Sequence, residues 1–175
     1  MFMYEKKLQY PVKIKNPNPA LAKLIMAQYG GPNGEIGASL RYLSQRYSMP
    51  YPELKAILTD VGTEELGHLE MVGAIVYQLT RNLTVDEIKK SGYDAYFIDH
   101  TTGVYPVAAS GTPFNADAFA STGDPIADLH EDMAAEGTVT KMLLVFSFKT
   151  YCFQGLYHFN HSTKIKNGKA TFKIM

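Results

Sequence analysis

From Ala20 the chain carries apolar and polar residues in a helical pattern (ALAKLIMAQY) that Gly30-Gly31-Pro32 breaks, since proline lacks the N–H donor and clashes with the preceding turn. Ahead of it lies an extended arm, 1–19, holding Pro11, Pro17 and Pro19. A second stretch runs from about Asn33, a residue type suited to an N-cap, to Tyr47, with Ile36, Leu40, Leu43 and Tyr47 as its expected inner stripe. Pro50 and Pro52 punctuate the chain, and the clearest helix follows, from Pro52 to about Arg81. Leu54, Leu58, Val61, Val72, Ile75 and Leu79 fall on alternating four- and three-residue steps, the seam of a helix packed in a bundle. Counted through the middle, the seam passes over Glu65 and His68. Burying an unpaired ionisable group costs several kcal/mol or forces its neutralisation, so each needs a partner.

Thr84-Val85-Asp86-Glu87 reads as a capping box opening a short helix that stops at Ser91-Gly92. Residues 92–123 have no sustained period and predict a long loop that wraps the surface or builds a site. Asp124-Pro125 supplies an N-cap and first-turn proline for another helix. Its expected inner stripe is Ile126, Leu129, Met133 and Glu136, with Asp128, Glu131 and Asp132 mostly outside. Beyond Glu136 the pattern fails. Gly137-Thr138-Val139-Thr140 continues a helix poorly, LLVFSFKTYCF reads as a strand, and KIKNGKATFKIM suggests a hairpin about Asn167-Gly168.

With 175 residues and 46% hydrophobic content, the chain suits one domain with a real core. A formal charge of zero speaks against a globally basic nucleic-acid binder. One cysteine, Cys152, excludes an internal disulfide framework, and the N-terminal residues hold no secretory apolar run. No stretch is long and apolar enough for a membrane span. The expectation is a soluble, cytoplasmic protein. The zero is a cancellation, however. All 17 acidic residues lie at or before Glu136, giving that body −6, whereas 137–175 holds 6 lysines and no acid.

Four residues carry candidate chemistry: Glu35, Glu65, His68 and Glu136. Ferritin-like dimetal sites take one Glu from each of two helices and a Glu-x-x-His pair from each of two others. The i, i+3 spacing of Glu65 and His68 puts carboxylate and imidazole on one helix face, able to hold one ion together. Bland readings stand beside this one. Glu65 and His68 fit a satisfied polar pair, Glu35 fits an acid complementing a helix dipole, and Glu136 fits a solvated acidic face. His100 and His130 read as solvent-facing, while His158 and His161 in the tail are weaker ligand candidates.

GGPNGEIGASLRYLSQRY, LTDVGTEELGHLEMVGAIVYQL and DPIADLHEDMAAE closely resemble the manganese catalase family, in particular the spore-coat CotJC type, over residues 1 to about 136. The resemblance implies an all-α, ferritin-like helical bundle, often in a hexamer, whose two manganese ions disproportionate hydrogen peroxide. Carried over by motif, Glu35 and His68 would bind one manganese, Glu65 would bridge both, and Glu136 would bind the second. Glu35, Glu65 and Glu136 would then be the catalytic carboxylates, and Tyr42 resembles the family's supporting tyrosine. Asp60 resembles one secondary cation ligand, but Ala56 stands where its partner would be, so that site is discounted.

The family's second Glu-x-x-His, about 33 residues after the AAE glutamate, is missing: position 169 is a lysine and no glutamate follows Glu136. The expectation is therefore an incomplete bundle over 1–136 and an atypical tail over 137–175 that carries strand and hairpin patterns. The abrupt change suggests out-of-frame translation of an AT-rich gene, or a divergent lineage whose tail makes its own structure. The functional readings are a manganese catalase acting on hydrogen peroxide, a structural spore-coat component with a degraded site, or a truncated product that folds poorly. Homo-oligomers or other coat proteins are the implied partners, with neither nucleic acid nor membrane.

Overall fold

In the computed structural model, the described residues are 5, 7–97 and 103–149, together with 164–166 and 169–171, and side chains are described as far as Gly137. The order is α1 (Pro19–Gly30), α2 (Glu35–Gln45), α3 (Pro52–Thr80), α4 (Val85–Ser91) and α5 (Pro125–Lys149), then strands β1 (Lys164–Lys166) and β2 (Lys169–Thr171). Local chemistry sets most helix ends. Asn18 Oδ1 accepts from Leu21 N at 3.0 Å with proline opening α1. The expected Thr84–Glu87 capping box is present on α4, and Gly92 takes the left-handed φ of 69° that ends it. Asp124 Oδ1 accepts from Ile126 N at 2.9 Å and starts α5.

The N-cap of α2 is Gly34, not Asn33. The Asn33 side chain instead accepts from Arg41 Nη2 at 2.8 Å.

Two cores divide the chain along α3. One gathers Ala22, Ile25 and Met26 of α1, Val72, Ile75, Val76 and Leu79 of α3, and Tyr93, Tyr96 and Val107 of the long loop. Each such side chain contributes about 1.5–3 kcal/mol when fully buried. The other gathers Ala38 and Tyr42 of α2, Met49, and Leu58 of α3, with Leu54, Val61 and Leu129 packed against it. Ser39 Oγ donates to Gly62 O at 2.6 Å, tying α2 to α3 where neither side has bulk. The loop after α4 wraps the first core: Tyr96 Oη donates to Ala109 O at 2.6 Å. A side chain at Gly30 would stand 2.2 Å from Val107 N, so glycine lets that loop lie on the end of α1.

The α3 seam holds as expected, with Leu58, Glu65, Val72, Ile75 and Leu79 buried. The stripes expected for α2 and α5 do not. Leu40 is 41% and Tyr47 76% exposed, while Glu35, Ser39, Arg41, Tyr42 and Gln45 face inward. On α5, Ile126 is 72% and Met133 63% exposed, whereas Asp128 and Asp132, expected outside, are buried. The buried faces of α2 and α5 meet each other through polar groups, which a rule seeking apolar stripes reads inside out.

Helix α5 also runs past Glu136 to Lys149, where a failed helix and then a strand were expected. Leu143, Leu144 and Met142 are good helix formers, and propensity at Gly137 and the threonines is a weak prior against them. Strands β1 and β2 pair antiparallel, Lys166 opposite Lys169, as the expected hairpin requires. Its turn, Asn167-Gly168, and the histidines at 100, 158 and 161 lie outside the described residues. Among the described residues no helix is long and apolar enough to cross a membrane.

Candidate metal centre

Glu35 opens α2, where its carboxylate lies in the first turn. Glu65 and His68 share one face of α3, at the level where the two cores meet. The close packing at Ser39 and Gly62 brings the helices together and places the three side chains in one group. One ligating atom from each of Glu35, Glu65 and His68 lies within 4.8 Å of the others. His68 Nδ1 is 2.5 Å from Glu65 Oε2 and 3.9 Å from Glu35 Oε2. Glu35 is 7% and Glu65 4% exposed, so water screens this crowding poorly.

Glu136 arrives from α5 and is half-buried. It accepts a hydrogen bond from Tyr42 Oη at 2.8 Å and acts electrostatically on Glu35. Among the described residues it is not part of the three-residue group itself. Glu35, Glu65 and His68 are thus brought into one group, and Glu136 is tied beside it through Tyr42. His130 is exposed, as expected, and so is Asp60.

Electrostatics sharpen the picture. Burial, then the charge of Glu65 and a hydrogen bond shared with it, push Glu35 up to about 9. Burial alone would lower His68, but the carboxylates of Glu64 and Glu65 at its ring, with Glu35 nearby, outweigh that and push it up to about 10. Burial and the Glu136 carboxylate push the Tyr42 hydroxyl well above the usual phenol range, so it donates rather than ionises. Two buried carboxylates beside an imidazole form a donor set suited to a divalent cation.

The sequence reading passed over several residues of this environment. Glu64 sits four residues before His68, a helical spacing that was visible in TEELGH. Its carboxylate lies 3.8 Å from His68 Nε2. Asp132, one turn before Glu136, is pushed up to about 6 by burial, against the pull of Gln45 and Arg41. Asp128 accepts from Thr122 N, Thr122 Oγ1 and Gly123 N, and these bonds hold it below the usual carboxylate range despite its burial.

The sequence profile of the family described as manganese containing catalase matches residues 1–145. The chain belongs to this family. It is 48% identical over 136 residues to Protein CotJC of Bacillus subtilis (strain 168), covering 78% of this chain and 71% of that protein. It is 36% identical over 138 residues to a probable manganese catalase of Clostridium acetobutylicum, covering 78% of this chain and 61% of that one. Among solved structures it resembles KatB, a manganese catalase from Anabaena PCC7120, with a TM-score of 0.70 and 30% identity over 81% of this chain and 64% of KatB. The manganese catalase fold is thus a ferritin-like helical one here too, and the chain spans less than two thirds of these two catalases' length.

Proposed function

We propose that this chain binds manganese between α2, α3 and α5 and disproportionates hydrogen peroxide to water and oxygen. The observation that supports this most is the buried Glu35–Glu65–His68 group, whose ligating atoms lie within 4.8 Å of one another. Glu35 and His68 would hold one ion, Glu65 would bridge, and Glu136 would serve a second. Manganese, when bound, supplies two-electron exchange with peroxide. The chain's own residues do the rest. Glu65 and Glu35 present hard oxygen donors whose charge a divalent ion offsets, and Tyr42 keeps its proton and holds Glu136 at 2.8 Å. The proposed setting is a soluble, cytoplasmic homo-oligomer that assembles into the spore coat with other coat proteins, and the likeness to CotJC supports the coat part of it.

A second reading is a coat component whose site no longer turns over. One observation favours it: no Glu follows Glu136, so the chain has no second Glu-x-x-His to complete the other ion's ligands. The domain reading goes with this, a catalase-type domain over 1–136 followed by an atypical 137–175. Reconstitution with manganese, metal analysis and oxygen release from peroxide test the two together. Two ions per chain with oxygen release support the enzyme. One or none, without oxygen, supports the coat component.

A further inference from the structure

His68 is held on one ring edge by Glu65 and Glu35, but its other edge faces a different group. Nε2 lies 3.8 Å from Glu64 Oε1, and that same oxygen accepts a hydrogen bond from Gln9 Nε2 at 3.3 Å. Gln9 belongs to the N-terminal arm and stands 55 residues from Glu64 in sequence. The helix surface beneath it is Gly67, where an added Cβ would come within 2.9 Å of Gln9 Oε1. The bare backbone at Gly67 leaves room for Gln9 Oε1 against α3 beside the histidine.

The arm is fastened independently at the far end of α3. Gln78 Oε1 accepts from Ile14 N at 2.7 Å and Gln78 Nε2 donates to Val12 O at 2.8 Å. Arg81 Nη2 donates to Ile14 O at 2.6 Å, and Asn18 N to Leu79 O at 2.8 Å. The stretch from Gln9 to Asn18 therefore lies along α3 as a strap, with Gln9 at the level of the metal centre.

An imidazole that binds a metal through Nδ1 keeps its proton on Nε2 and needs an acceptor there to fix tautomer and ring angle. A glutamate on a helix surface has several rotamers, and only some point its carboxylate at the ring. We propose that Gln9 selects that rotamer: the arm, through Gln9 and Glu64, orients His68 for metal binding, and Gln9 is a positioning residue. This rests on the reading of His68 as a manganese ligand.

The full chain tests it by manganese(II) affinity from equilibrium dialysis, with denaturant midpoints beside it. Gln9→Ala and Gly67→Ala should each weaken binding about 10-fold. Gly67→Ala should do so without lowering the midpoint, since alanine favours the helix, and this separates positioning from folding. In a Glu64→Gln background, Gln9→Ala should add nothing. Unchanged affinity in both Gln9→Ala and Gly67→Ala overturns the proposal. Should the wild-type chain bind no manganese, the metal reading fails by itself. The latch is then judged in the metal-free protein by the ring ¹⁵N shifts of His68. A shift of Nε2 in Gln9→Ala supports the latch, and identical spectra sink it.

Discussion

Tyr42 donates its hydroxyl hydrogen bond to Glu136 Oε1 at 2.8 Å, across 94 positions of sequence. It is a polar tie between α2 and α5 beside the candidate centre. A hydrogen bond to an ionised group contributes about 1.5–3 kcal/mol, so Tyr42→Phe should cost about 1–2 kcal/mol in urea unfolding. Manganese retention should fall about 10-fold as Glu136 loses this donor. Unfolding and dialysis that match the wild type would remove Tyr42 from the site.

The metal-free protein should weaken as the medium turns alkaline. Glu35 is raised from 4.5 to about 9, and His68 from 6.5 to about 10. Both folded-state values lie above the unfolded ones, so the folded chain binds the extra protons. Their stabilising contribution is whole at low pH, below 4.5 for Glu35 and 6.5 for His68, and is lost as pH climbs through about 9 to 10. In chelator, the urea midpoint should be lower at pH 9.5 than at pH 6. Manganese must displace the same protons, so its affinity should rise over that range. A midpoint that climbs with pH in chelator would contradict this protonation pattern.

Gly62 sets the approach of α2 to α3. A Cβ there would meet Leu43 Cγ at 2.9 Å and Tyr42 Cβ at 3.2 Å. Gly62→Val adds more bulk still and should cost about 1–3 kcal/mol by overpacking, with loss of manganese binding as Glu35 moves from Glu65. Gly73→Ala is the control, since its Cβ would find only ordinary contact with Tyr29 at 3.5 Å. Thermal melts of both variants decide it. Equal stability of the two would show that the helices have room to spare.

Asp132 is 7% exposed and raised to about 6, mainly by burial. For an acid, a raised value means that ionisation opposes folding, so this group's contribution is favourable below 3.8 and is lost as pH rises through about 6. Asp132→Asn should therefore stabilise the chain by about 1 kcal/mol at pH 8 and by nothing below pH 4. A destabilised variant at pH 8 would mean that the charge of Asp132 serves Arg41 more than its burial costs.

The α3 seam was legible because its apolar residues keep a strict helical period and the two exceptions, Glu65 and His68, stand out against it. Helix ends were legible where a single side chain makes the cap, as at Thr84 and Asp124. The inward faces of α2 and α5 were not, because Arg41, Gln45 and Asp128 are buried by pairing with groups that periodicity does not reveal, and Asp132 is buried beside them. Propensity likewise stopped α5 at Glu136, although the helix runs on to Lys149.

The sequence by itself determined which side chains could ligate a metal, since identity and i, i+3 spacing on one helix are local properties. It also determined the charge divide at Glu136, because composition needs no fold. Only the tertiary structure decided that Glu35 meets Glu65 and His68, that Glu136 meets Tyr42, and that Gln9 reaches Glu64. Those meetings depend on how closely α2 lies on α3 and where the arm runs, and such distances arise from packing across dozens of intervening residues.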